Sequence, residues 1–219
     1  MKVYSGFKGL VEKTENSINK QFLRNYLKIL PQAYSLAYHS CYEKLGISPY
    51  QARDLFPHMR RAILDDLLIK LSAQYTELKV STYKNDAKNC SYVRVQSGDV
   101  ILTANAVTTP LEMVRPALFR VTLARDNRQL ELFSKIGTDN YGDFYYANLL
   151  HGPDEINLEK VSFAYLAYPS SDFKYYITSI NLEKHFGISM YETIVNIEEI
   201  EDTVFASFKK TTADKKEEE

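Results

Sequence analysis

Glu77-Leu78-Lys79 is the densest point of potential chemistry in the chain. On an extended backbone, residues two apart share a face, so Glu77 and Lys79 present a carboxylate and an ammonium side by side. A carboxylate placed this way can help hold a divalent cation, and an ammonium can orient or activate water. Asp65 or Asp66, a short way upstream, is the candidate second carboxylate. The other concentration is cationic. Arg115, Arg120, Arg125 and Arg128 fall within 14 residues, and His58, Arg60 and Arg61 form a separate group. Guanidinium forks match phosphate and carboxylate, so the two groups make an anion-binding surface if the fold brings them together. The plainer reading is solvated arginines, some paired to Glu112 and Asp126, since exposed ion pairs are common and contribute little.

The E-x-K spacing resembles that of nucleases of the PD-(D/E)xK class, over three or four residues of 219. That resemblance implies Mg or Mn held by Glu77 and by Asp66 or Asp65, with Lys79 acting on water. In that class the aspartate ends a strand. Here Asp65 and Asp66 fall on a helical pattern and no proline precedes them. The alternative is a charge-alternating edge strand, which also discourages aggregation. Asp99 with Glu131 is a second acid pair, but Phe133 stands where its lysine would be. Asp139, Asp143, Asp154 and Glu155 sit in loops, where turn chemistry accounts for them without a metal. The phosphate loop, the G-x-G-x-x-G turn, the G-x-S-x-G elbow and H-E-x-x-H are all missing from the sequence. His39, His58, His151 and His185 are far apart, and Cys41 and Cys90 form no C-x-x-C pair. No metal site is assigned, and no cofactor is expected unless the nuclease reading holds.

Positioning these groups requires a scaffold whose period changes once. Ile18, Phe22, Tyr26 and Leu30 recur every four residues, with Leu23 and Leu27 widening the stripe. Pro31 is expected to end or kink that helix. A second helical stretch runs over 32–44 to Gly46. Ser48-Pro49 supplies an N-cap and a first-turn proline, and Pro57 marks another helix start, with Ile63, Leu64, Leu67, Leu68 and Leu71 as its apolar face. From about residue 76 the period becomes 2. Ser97-Gly98 predicts a tight hairpin between strands at 92–96 and 99–103. Asp126-Asn127 predicts a second hairpin between 119–125 and 128–133. Further strands are expected at 144–149, 161–168, 175–182 and 193–197.

The expected fold is α+β: about three N-terminal helices (residues 1–75) packed on a mainly antiparallel or barrel-like sheet of roughly eight strands (76–208). Together these form one domain, followed by a mobile charged tail at 209–219. Hydrophobic residues make up 45% and charged residues 25% of the chain, which excludes a disordered polyelectrolyte or a disulfide scaffold. The longest uncharged run, Ile29 to Tyr42, spans 14 residues, too short to cross a bilayer. With no secretory signal apparent and only two cysteines, a cytoplasmic location is expected. Residues 1–75 carry 11 Lys/Arg against 6 Asp/Glu, a net of +5, and residues 151–219 carry 7 against 14, a net of −7. The 17 tyrosines include doublets at 145–146 and 175–176, each expected to put one ring inward and one outward.

The leading functional expectation is a non-catalytic interaction protein, regulatory, immunity-like or antitoxin-like. It would bind a protein or an anionic partner through an Arg/Tyr-rich surface. A metal-dependent nuclease on Glu77 and Lys79, and nucleic-acid binding without cleavage, are the alternatives. No membrane association is expected.

Overall fold

The structure, a computed structural model, describes residues 17–128, except 86, 87 and 89, and residues 144–190. Helix α1 spans Lys20–His39. Asn19 caps it, its side-chain oxygen accepting from the Phe22 N–H at 2.8 Å, which satisfies one of the first-turn donors. Phe22, Tyr26, Leu27 and Leu30 on its apolar stripe are fully buried. The helix continues through Pro31 instead of ending there. Proline costs one backbone bond, and the buried side chains on both sides of it, Leu27, Leu30 and Tyr34, outweigh that local loss. A single π turn, Ser40–Lys44, follows, and the chain then turns at Gly46 with φ +59°.

Helix α2 spans Pro49–Ser72. Ser48 and Gln51 form a reciprocal capping box, with proline in the first turn. α2 also runs unbroken through Pro57, so the expected pair of helices is one. Among the described residues the N-terminal layer therefore holds two long helices, where about three were expected over residues 1–75. Ile63, Leu64, Leu68 and Leu71 are buried on α2, which packs chiefly on α1 and then on the first two strands.

Among the described residues six strands form one open sheet: β1 Leu78–Lys84, β2 Ser91–Ser97, β3 Val100–Ala106, β4 Tyr145–Pro153, β5 Val161–Pro169 and β6 Tyr176–Asn181, in that spatial order. It is an open sheet, not a barrel, and it is mixed. β3 and β4 are parallel, Val100 beside Tyr145 through Ala106 beside His151, and the other four pairings are antiparallel. Parallel neighbours need a crossover, and here the crossover carries a short helix, α3, Leu118–Ala124, followed by a 3-10 turn, Arg125–Asn127. This overturns the expected second hairpin. Phe119, Val121 and Leu123 do alternate, but Phe119, Leu123 and Asn127 also recur every four residues. The helical spacing wins because Leu123, Ala124 and Asn127 are the buried set. The predicted 128–133 and 193–197 strands, Glu131, Phe133, Asp139, Asp143 and the 209–219 tail lie outside the described residues. Helix α4, Leu182–Phe186, ends the described chain's regular structure and is closed by Gly187 at φ +62°.

The β2–β3 hairpin forms as predicted. Gly98 has φ +56°, and a Cβ there would stand 3.0 Å from the Ser17 carbonyl oxygen, so both backbone conformation and close approach call for glycine.

Alternation along the strands splits the interior in two. Tyr145, Ala147 and Leu149 of β4 join the core under α1 and α2. Tyr146 and Leu150 join a smaller core under the crossover, with Val114, Leu123 and Phe163. Both rings of the Tyr145-Tyr146 doublet are thus covered, at 5% and 1% exposure, and neither faces solvent. Among the described residues no helix is long and apolar enough to cross a membrane.

Candidate functional site

Successive residues on a helix diverge by about 100°, and α2 uses this to send Arg60 and Arg61 to different places. Arg61 reaches the start of β2, where its Nη1 donates to Cys90 Sγ at 2.6 Å and its Nη2 donates to the Ser91 carbonyl. One turn on, Asp65 stands 3.7 Å from Arg61 Nε. Arg115 precedes Pro116, which holds it extended, and α3 begins directly afterwards. Arg120 on α3 folds back to donate to the Arg115 carbonyl at 2.9 Å. The result is a cleft of about 350 Å³ lined by Arg61, Arg115, Arg120, Cys90, Tyr92 and Phe119. Among the described residues no carboxylate lines it.

The sequence-predicted cations therefore divide. Arg61, Arg115 and Arg120, from both predicted groups, converge on this cleft. Arg125 and Arg128 lie at the exposed far end of the crossover turn and do not line it. Arg60 lines a separate cavity.

Arg120 is the least solvated of the three. Burial, with a smaller push from the nearby charge of Arg61, pulls its pKa below the usual arginine range against the opposing influence of Tyr146, and its Nε has no hydrogen-bond partner among the described residues. Beneath it, burial pushes the Tyr146 phenol up to about 12 although Thr103 and Arg120 oppose the shift. Burial likewise raises Tyr176 to about 12. Both phenols thus remain neutral hydroxyls at ordinary pH, and Arg120 gains no counter-charge from them.

Beside the cleft runs a stack that sequence reading missed. Tyr83 and Tyr92 face one another across β1 and β2, their rings 5.9 Å apart and 25° from parallel. Phe119 stacks on Tyr92 at 3.7 Å and 13°. Arg94 lies over Tyr83 at 4.1 Å and donates to the Tyr92 hydroxyl at 2.7 Å. Arg120 lies over Phe119 at 4.8 Å. Guanidinium, three rings and guanidinium thus follow one another, with Tyr83 at 42% exposure. Arg94 alternates with buried Val93 and Val95, a signal in the sequence that placed it on the face away from α1 and α2.

A second missed group holds the crossover down. Asn127 accepts from the Tyr146 N–H at 2.8 Å and donates to the carbonyls of Tyr146 and Pro169, both at 2.8 Å. Thr103, Asn105, Tyr146 and Asn148 bond among themselves on the same face, as buried polar groups must.

Glu77 lies just before β1, exposed, and accepts a hydrogen bond from the Asn19 side chain. Lys79 is exposed on β1. Asp66 pairs with Lys70 at 2.7 Å, one turn along α2. Asp65 pairs with Arg61, and burial raises its pKa to about 6 against the pull of that cation. Among the described residues no three His, Cys, Asp or Glu side chains gather as metal ligands. Cys41 is buried in the core of α1 and α2, its thiol pushed up by burial.

The chain matches no protein-family model, no curated protein and no solved structure. The class its fold and site define is an open, mixed α+β sheet whose crossover closes an arginine-lined cleft.

Proposed function

We propose that the chain is a non-catalytic interaction protein whose Arg61–Arg115–Arg120 cleft receives an acidic segment of a protein partner. One observation carries this reading: three guanidiniums from two distant parts of the sequence line one cleft with no carboxylate among its described lining residues, Asp65 meeting Arg61 from outside that lining. Like charges so gathered repel, and a bound carboxylate relieves that repulsion while filling bidentate donor sites. The flanking rings add an apolar, partly exposed contact of the kind that anchors interfaces.

Nucleic-acid binding without cleavage is the second reading. Its support is the Arg94 guanidinium over partly exposed Tyr83, beside the arginine cleft, since bases stack on guanidinium planes as well as on rings.

Fluorescence anisotropy of the full chain with labelled probes separates the two. A glutamate- and aspartate-rich peptide is expected to bind, more weakly as salt rises. The double variant Arg61→Ala/Arg115→Ala should weaken it about tenfold or more. A single-stranded oligonucleotide that binds tighter than the peptide would favour the second reading. Absence of peptide binding, or indifference to the double variant, overturns the first.

A further inference from the structure

Arg60 is 7% exposed. Its guanidinium lies 4.6 Å over the Tyr34 ring and 5.3 Å from that of Phe56. Its Nε has no hydrogen-bond partner, and no carboxylate among the described residues pairs with it. Two rings hold the cation in place but do not neutralise it, and an unpaired buried charge is costly. The polar groups below offer no anion. The Tyr34 hydroxyl shares a 2.7 Å hydrogen bond with His151 Nδ1. Burial keeps that phenol neutral, and burial with the charge of Arg60 holds the imidazole well below its usual range.

Arg60 borders a cavity of about 410 Å³ between α2 and the carboxyl ends of β3 and β4. It lies outside the carboxyl ends of the one parallel pair among the described residues, the kind of position in which open α/β sheets take ligands, and its size is that of a small-molecule site, roughly 300–1,000 Å³. Phe56, Val107 and Leu158 give it apolar walls, Thr108 offers a hydroxyl, and exposed Arg53 stands at the rim. Among the described residues it shares no lining residue with the Arg61 cleft.

We infer that this cavity binds a small carboxylic acid with an apolar body, its carboxylate on Arg60 and its body against Phe56, Val107 and Leu158. A single buried guanidinium fork matches one carboxylate, and the walls favour a hydrophobic remainder over a compact, multiply charged ion.

The test is calorimetric titration of the full chain, together with thermal unfolding, using phenylacetate, its uncharged amide phenylacetamide and inorganic phosphate as probes. Phenylacetate should bind saturably and raise the unfolding temperature, whereas the amide and phosphate should do neither. Arg60→Gln should weaken phenylacetate binding by about tenfold or more, the loss of one charge-assisted contact. If Arg60→Gln does not fold, Arg53→Ala decides: it changes an exposed rim residue and should weaken binding about threefold. The double variant Arg61→Ala/Arg115→Ala should leave phenylacetate binding unchanged, which separates this site from the cleft. Equal binding of acid and amide, phosphate binding as strong as phenylacetate, no binding at all, or no response to either Arg60→Gln or Arg53→Ala overturns the assignment.

Discussion

The two faces of the sheet are held down by different means. Under α1 and α2 the contact is apolar volume: Leu27, Leu30, Ile63 and Leu68 are fully buried against Val95, Leu102, Ala147 and Leu166. Under the crossover the apolar cluster is smaller, and Asn127 clamps the backbones of β4 and β5 while Thr103, Asn105 and Asn148 bond around the Tyr146 hydroxyl. The first face supplies bulk stability. The second supplies orientation, because hydrogen bonds are directional where hydrophobic burial is not. Two of the cleft's three arginines, Arg115 and Arg120, stand on the second, where α3 must be held in register for them to meet Arg61 of α2.

The strongest perturbation should therefore come from the helix-covered face. Leu68→Ala, at a fully buried position, should cost about 2–5 kcal/mol by lost transfer energy and residual cavity, read by denaturant unfolding. Because the cleft depends on α3 more than on that layer's volume, acidic-peptide binding by the remaining folded protein should be unchanged. A loss of binding matching the loss of stability would dissolve the distinction between the faces.

Asn127→Ala attacks the other side. It strands one N–H and two carbonyls in a buried place, each costing about 1–3 kcal/mol if left unsatisfied; relaxation reduces the sum, and we expect about 2–3 kcal/mol. Here binding to the cleft should fall along with stability, and hydrogen exchange at the Tyr146 amide should rise. A variant with wild-type exchange at Tyr146 would show that the clamp holds nothing.

A polar group on the apolar side should behave in the opposite sense. Burial raises Asp65 to about 6, against about 3.9 in the unfolded chain. The native state therefore binds the proton more tightly, and stability falls as pH rises from about 4 to about 6. Asp65→Asn should add about 1–2 kcal/mol at pH 7, less than the shift alone implies because the pairing with Arg61 is lost, and the gain should vanish below about pH 4. His151 has the reverse slope. Burial keeps it neutral, so the stability tied to it is present above about pH 6.5 and is lost as pH falls below that. Unfolding free energies across pH 4–8 for wild type and Asp65→Asn separate the two contributions.

This contrast also explains what the sequence could reveal. The helix-covered face was legible because its residues obey one period over long stretches, as Phe22, Tyr26 and Leu30 do, and because Ser48-Pro49 is a strong start signal. Pro31 and Pro57 are local breakers that the burial around them overrides, and that burial is not visible from the sequence alone. The crossover was misread because Asp126-Asn127 carries turn chemistry in either structure. Whether Asn127 turns a hairpin or clamps two strands depends on a parallel partner, β4, which is remote in sequence. The convergence of Arg61 with Arg115 and Arg120 was open to sequence reading only as a condition on the fold. The stacking of Tyr83, Tyr92, Arg94 and Phe119 depended on a cross-strand register that composition does not encode.

The smallest expected effect is the sharpest test of what that stack is for. Arg94 contacts Tyr83 and Tyr92 at a partly exposed edge, where a cation–π contact contributes about 0.5–1 kcal/mol. Arg94→Met keeps much of the packing and removes the charge and the hydrogen bond, so stability should drop by no more than about 1 kcal/mol. If the stack only props α3 through Phe119, peptide affinity should change no more than stability does, for Arg94→Met and for Tyr83→Leu alike. If the stack is contact surface, Arg94→Met should weaken the acidic peptide by more than the stability change implies, and Tyr83→Leu should weaken it again, since Tyr83 is the exposed ring of the series. The second pattern follows from the proposed function, because a charge at the edge of an anion-binding cleft acts on the ligand as well as on the fold.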